Sequence, residues 1–180
     1  MHKYLRGDNN EFHDAPENPE GIKVAIIELL AESSVSTDIK KYVSLLGTVG
    51  VHQRSLMLLD EAENTLNEVL EVISKNNLSI SLEAQNKIRI GHVYQWQKRF
   101  ERSNLIFEDV IALCLQNEEA SHYLHFAYQH HGKNLFDQER YQEAFDFLEK
   151  ALRIRLDIDA PLDQLQSSRE AIDIVKKYLE

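Results

Sequence analysis

A single cysteine, Cys114, stands among the 180 residues, so the chain can form no internal disulfide and no cysteine-based zinc cluster. Three prolines and six glycines punctuate it, too few for the many turns of a β-rich fold, and long helices are expected. Positive charge is short as well: 20 Lys and Arg against 30 Asp and Glu leave a net charge of −10. Neither nucleic acid nor an anionic membrane surface suits that balance, because both are bound through clustered cations. No apolar run approaches the roughly 18 residues of a bilayer-crossing helix. The opening "MHKYLRGDNNEFHD" contains no apolar segment of the signal-peptide kind, and a cytoplasmic location is expected. Glycine-rich phosphate loops, Gly-x-Ser-x-Gly elbows and HExxH pairs are missing, so the sequence predicts neither an enzyme nor a cofactor.

What the sequence does contain is a repeat. Gly50, Gly91 and Gly132 stand 41 residues apart. Twelve residues after each comes a small side chain, Ala62, Ser103 and Ala144, and four further on a large one, Leu66, Phe107 and Leu148. A glycine inside a helix costs about 1 kcal/mol relative to alanine. Close packing offsets that cost where two antiparallel helices cross at about 8–10 Å and one lacks a side chain at the crossing. The pattern therefore predicts helical hairpins in which helix A carries the glycine and helix B the small residue, the two facing each other.

The stretch "GKNLFDQERYQEAFDFLEKAL" resembles the tetratricopeptide repeat (TPR) through Gly132, Tyr141, Ala144, Leu148 and Ala151. "IGHVYQWQKRFERSNLIFEDVI" is similar through Ile90, Gly91, Tyr94, Phe100, Phe107 and Val110, and "VGVHQRSLMLLDEAENTLNEVL" through Gly50, Ala62, Leu66 and Val69. The interval of 41 exceeds the 34 or so of the standard repeat, about one extra turn on each helix. It looks like the long-helix variant of kinesin light chains and Rap-type peptide receptors. The resemblance implies an all-α fold: antiparallel helical-hairpin repeats stacked into a right-handed α-solenoid with end-capping helices.

Residues 1–21 are polar, with Pro16 and Pro19, and are expected to be disordered or extended. Residues 22–33 read as an N-terminal capping helix, 38–157 as three hairpins, and 162–180 as a C-terminal capping helix that follows Pro161. Asp60 and Glu63 have capping-box spacing at the start of the first B helix.

The resemblance further implies a concave groove lined by the A helices, at fixed offsets from each repeat glycine. Those offsets select Ser44, Gly47, Val51, Arg54 and Ser55 in the first repeat. They select Gln85, Ile88, His92, Gln95 and Trp96 in the second, and Phe126, Gln129, Lys133, Phe136 and Asp137 in the third. Aromatic and Arg side chains of this kind dominate binding energy at interfaces, though filling the seams between helices is the alternative use of the large aromatics. His122 and His125 lie at i, i+3 with His130 and His131 beyond. Two imidazoles on one face fall short of the three or four ligands a zinc site needs, and no metal is expected.

Two functions of different kinds follow. One is a scaffold whose concave face binds another protein or a peptide. The other is a self-associating structural module, a homodimer through an end helix or the convex face, with no groove ligand. A small-peptide sensor of Rap type is a third reading.

Overall fold

The structure, a computed structural model, describes residues 12, 13 and 16–179. The expectation for residues 1–11, 14 and 15 lies outside the described residues. Eight α-helices follow one another among the described residues: α1 (Pro19–Ser34), α2 (Ile39–Ser55), α3 (Leu59–Lys75), α4 (Ile80–Trp96), α5 (Phe100–Gln116), α6 (Leu124–Phe136), α7 (Tyr141–Asp157) and α8 (Leu162–Lys176). A 3₁₀ segment, Glu118–Tyr123, leads into α6. Each helix packs on the next, and α2 also touches α4, and α4 touches α6, while α3, α5 and α7 do not touch one another. The A helices are therefore the inner row of a curved stack, and their common face is concave.

The helix bounds explain the repeat length. Helices α2, α3, α4 and α5 are each 17 residues long, joined by the short turns 56–58, 76–79 and 97–99. Starts are set locally in the first two A helices, α2 and α4, whereas α6 follows the 3₁₀ segment without a side-chain cap. Asp38 Oδ1 accepts from the amides of Lys40 and Lys41 at 2.9 and 3.2 Å, and Ser79 Oγ accepts from Leu82 N at 3.3 Å. The B helices α3, α5 and α7 have no side-chain cap. The capping box expected at Asp60 and Glu63 does not form, because α3 begins a residue earlier, at Leu59, with Leu58 at its N-cap. Glu63 instead accepts from the side chains of Gln97 (3.0 Å) and Arg99, tying α3 to the turn after α4.

A second period of 41 is written in the backbone. Met57, Lys98 and Glu139 all adopt left-handed φ, of 61°, 58° and 62°. In each turn the following amide reaches back, Leu58 to Gln53, Arg99 to Tyr94 and Arg140 to Leu135, at 2.9–3.0 Å. This is the Schellman closure, which usually places glycine at the left-handed position.

The glycines sit at close crossings, with one correction to their partners. A Cβ on Gly50 would lie 2.6 Å from Leu66 Cγ, on Gly91 2.9 Å from Phe107 Cζ, and on Gly132 2.8 Å from Leu148 Cγ. Each glycine thus admits the large residue of its B helix, one turn beyond the small one. The small residues face the next repeat instead. Ala62 packs with Ile90, Val93 and Tyr94 of α4. Ser103 Oγ donates to Asn134 Oδ1 of α6 at 2.6 Å. Ala144 packs with Ala171, Ile172 and Val175 of α8. Gly132 also meets its small partner, through the Ala144 carbonyl oxygen, 3.1 Å from the added carbon.

The N-terminal region also differs from expectation. Asn18 accepts from Gly21 N at 2.9 Å and Pro19 occupies the first helical turn, so α1 starts at 19 rather than 22. Ile22, Ala25, Ile26 and Leu29 are half-buried, on a helix that lies against α2. Ahead of it, Phe12 and His13 are packed rather than loose: Phe12 is buried among Leu135, Phe136 and Leu148.

Candidate peptide-binding groove

The C-terminal ends of α2, α4 and α6 enclose a cavity of about 290 Å³, lined by Phe12, Arg54, Ser55, His92, Gln95, Trp96, His130 and Lys133. Stacking of the repeats puts equivalent turns of the three A helices side by side, which brings residues far apart in sequence to one wall.

Trp96 forms the base of this wall. The Arg54 guanidinium carbon lies 4.4 Å from its ring centroid, a cation–π contact. The His13 imidazole stacks on the same indole with centroids 4.5 Å apart and planes 18° apart. Asp137 follows α6 directly and is tied to a residue of the cavity wall and to His13. Its Oδ2 accepts from Gln95 Nε2 at 2.7 Å and from His13 Nε2 at 3.0 Å. Its Oδ1 is buried and has no hydrogen-bond partner among the described residues.

His92 and His130 meet edge to face with centroids 4.0 Å apart. Burial holds both imidazoles well below the ordinary histidine range; His130 and the charges of Arg54 and Lys133 add to the effect at His92, and the charges of Lys133 and Arg54 add to it at His130. Both are neutral at pH 7, and each keeps a buried nitrogen, His92 Nε2 and His130 Nδ1, without a hydrogen-bond partner among the described residues. Buried polar atoms are ordinarily satisfied in folded proteins. Two such atoms at one cavity, on His92 and His130, mark a place where a ligand's donors and acceptors would be stabilised. The chemistry on offer is recognition: an aromatic floor, hydrogen-bonding rings, two cationic side chains and one carboxylate.

Of the residues selected from sequence, the structure brings Arg54, His92, Gln95, Trp96 and Lys133 together at this cavity. Phe136 stands behind it, 4% exposed, with its ring against Phe12, Tyr141 and Tyr178 in the seam with α7 and α8. Gln129 is turned away and 1% exposed; its Oε1 accepts from Ser168 Oγ of α8 at 2.9 Å. Phe126 lies two turns from Lys133 against Ala84 and Ile88, under the Arg155 guanidinium. Gln85 is one decade of residues before Gln95 on α4, about 15 Å along the axis, and does not line the cavity. His130 was not among the selected residues, because its offset from Gly132 is not one the family pattern uses. Phe12 and His13 were also missed, although a lone large aromatic in a polar stretch was their signal.

Two histidines away from the cavity have hydrogen-bond partners. His125 Nδ1 accepts from Arg155 Nε at 3.1 Å, and His122 Nε2 lies 3.3 Å from Ser81 Oγ. Among the described residues no three His, Cys, Asp or Glu side chains gather where they could hold a metal ion. Burial pushes the Cys114 thiol up to about 11, so the group is protonated and inert at neutral pH. No helix among the described residues is long and apolar enough to cross a membrane.

Comparison with known proteins places this geometry in a family. The chain is similar in structure to BtubC (BKLC) from P. vanneervenii, with TM-score 0.69 and 15% identity over 91% of this chain and 67% of that one. It is similar also to a kinesin-light-chain-type protein of nearly identical TPR-like repeats from Podosopora anserina, with TM-score 0.61 and 12% identity over 88% of this chain and 77% of that one. At such identities the likeness speaks for the fold, a solenoid of TPR-like repeats. No curated protein sequence matches the chain significantly. The family described as the RNPP family C-terminal domain matches residues 16–165. The chain is a TPR-type protein and belongs to the RNPP family C-terminal domains.

Proposed function

We propose that this chain binds a short peptide, or an extended segment of another protein, in the groove formed by α2, α4 and α6, and that it carries no catalytic activity of its own. The observation that carries the reading is the pair His92 Nε2 and His130 Nδ1, two buried atoms without partners among the described residues, at a cavity that Trp96 also lines. An extended peptide offers backbone N–H and C=O groups at close intervals and can satisfy both, while its side chains take the aromatic floor. Membership of the RNPP family C-terminal domains supports binding as the class of function. A cytoplasmic partner fits this reading.

The test is selection of a random decapeptide library on the intact chain. Enrichment of related sequences that bind the wild type, and that lose at least tenfold in affinity on Trp96→Ala, is the expected result. A library that yields no binder, or binders indifferent to Trp96, overturns the groove.

A second reading, pairing of two chains through an end helix, is favoured by exposed aliphatic side chains on α1 and at its C-cap: Val24, Ile27 and Val35 are 54, 67 and 79% exposed. Light scattering after size exclusion separates the two. A monomer of 20.9 kDa at high concentration leaves only the groove reading.

A further inference from the structure

The groove is partly filled by the chain itself, and what fills it specifies a ligand. We propose that Phe12 and His13 are a built-in occupant of the groove, that the ligand class is a peptide presenting an aromatic side chain followed by an imidazole or another cationic hydrogen-bond donor, and that such a peptide enters by displacing them. The inference rests on the groove reading above and gives it a ligand chemistry.

Phe12 lies in a polar stretch, "GDNNEFHDAPENPEG", yet is only 6% exposed. Its ring meets the edge of Phe136 at 4.9 Å, and the Lys133 ammonium stands 5.2 Å from its centroid. Its neighbour His13 uses both properties of an imidazole, the flat ring on Trp96 and the N–H on Asp137 Oδ2. The two residues thus sit in two adjacent subsites, one apolar and one that pairs an aromatic face with a carboxylate. These contacts span 124 residues of sequence and join the segment before α1 to the end of α6.

The fit is incomplete in a way that leaves room for competition. A cavity of about 290 Å³ remains beside Phe12. Asp137 uses one oxygen for His13 and Gln95, while the other has no partner among the described residues. A guanidinium in place of the imidazole could engage both oxygens in a fork, so an aromatic–Arg pair satisfies the site more fully than the resident aromatic–His pair. The resident segment, tethered a few residues before α1, acts at high effective concentration and keeps weak competitors out.

The experiment uses the intact chain and a labelled synthetic peptide with the sequence of residues 8–17, DNNEFHDAPE. The full-length double variant Phe12→Ala/His13→Ala is expected to bind this probe at least ~10-fold more tightly than the wild type, since the competent open state is no longer rare. A probe whose phenylalanine and histidine are both alanine should not bind, and one with histidine replaced by arginine should bind more tightly still. Trp96 is the only tryptophan, so its emission reports directly when His13 leaves the indole and when the probe takes its place. If the double variant loses helical circular dichroism, His13→Ala alone, which keeps Phe12, is used in its stead. Equal affinity of wild type and folded variant for the probe overturns the proposal, and so does absence of binding to the folded variant. A library-selected peptide that binds both forms equally would overturn the built-in occupant while leaving the groove reading standing. Failure of both probe and library peptides removes the two together.

Discussion

Arg155 donates from Nε to His125 Nδ1 at 3.1 Å, a buried guanidinium paired with an imidazole rather than with a carboxylate. The same group donates to Gln164 O at 2.8 Å and to Ser168 Oγ at 2.7 Å, so one side chain of α7 ties α6 to α8. Burial brings the guanidinium down to about 10, still charged at neutral pH. Arg155→Met keeps the volume and leaves these acceptors unsatisfied, at a cost of about 2–3 kcal/mol. Hydrogen exchange should show α8 opening first in the variant. Protection of α8 equal to wild type would contradict this role.

Acid should loosen the array. His125 and His131 are held down to about 4, by burial first and then by Arg155 and Arg140 respectively. An imidazole whose folded pKa lies below its unfolded value of about 6.5 leaves the unfolded chain binding more protons, so stability is full above that value and is lost as pH falls towards 4. His92 and His130 act in the same direction. The urea midpoint should therefore drop steadily from pH 7 to pH 5. His131→Phe, set between the rings of Phe107 and Phe147, should reduce the slope by about 1.4 kcal/mol per pH unit within that window. An unchanged slope would show that His131 is not held neutral.

The repeat glycine is required by space, not by backbone freedom. Gly91→Ala places a methyl group 2.9 Å from Phe107 Cζ, and Phe107 is itself hemmed in by His92 and His131. Overpacking of about 1–3 kcal/mol outweighs the gain of about 1 kcal/mol in helix propensity. A lower thermal midpoint is expected, and a raised one would place the crossing further apart than the structure does.

Glycine is missing where the backbone does favour it. Met57, Lys98 and Glu139 hold left-handed φ, which costs a residue with a Cβ about 1–2 kcal/mol. Glu139→Gly, at an exposed position, should stabilise the chain by about 1 kcal/mol, net of the entropy glycine adds to the unfolded state. For a chain of this size the thermal midpoint should rise about 2–4 °C, and a fall would contradict the Schellman closure at that turn.

Groove and seam can be told apart by binding. Lys133→Glu reverses a charge at the cavity and should abolish capture of library-selected peptides. Gln129→Ala should leave their affinity within about twofold, because Gln129 faces Ser168 across the α8 seam, and should lower stability by about 1 kcal/mol. The opposite pattern would move the site from the cavity to the seam.

Much of the fold is legible along the chain. The interval between Gly50, Gly91 and Gly132 reflects a steric requirement inside each hairpin, and hairpin contacts are local. Helix number, period and end caps follow from it, because helical periodicity shows which stripe of each helix must be buried. The stripe does not show what buries it. Rotation of one repeat against the next carried Gln129 and Phe126 into seams while leaving Trp96 and Lys133 at the cavity, and it turned Ala62, Ser103 and Ala144 towards the following helix rather than the glycines. The docking of Phe12 and His13 is the far limit of this. A polar stretch has no periodicity to betray a partner 124 residues away, and only the curvature of the assembled inner row brings Trp96 and Asp137 within its reach.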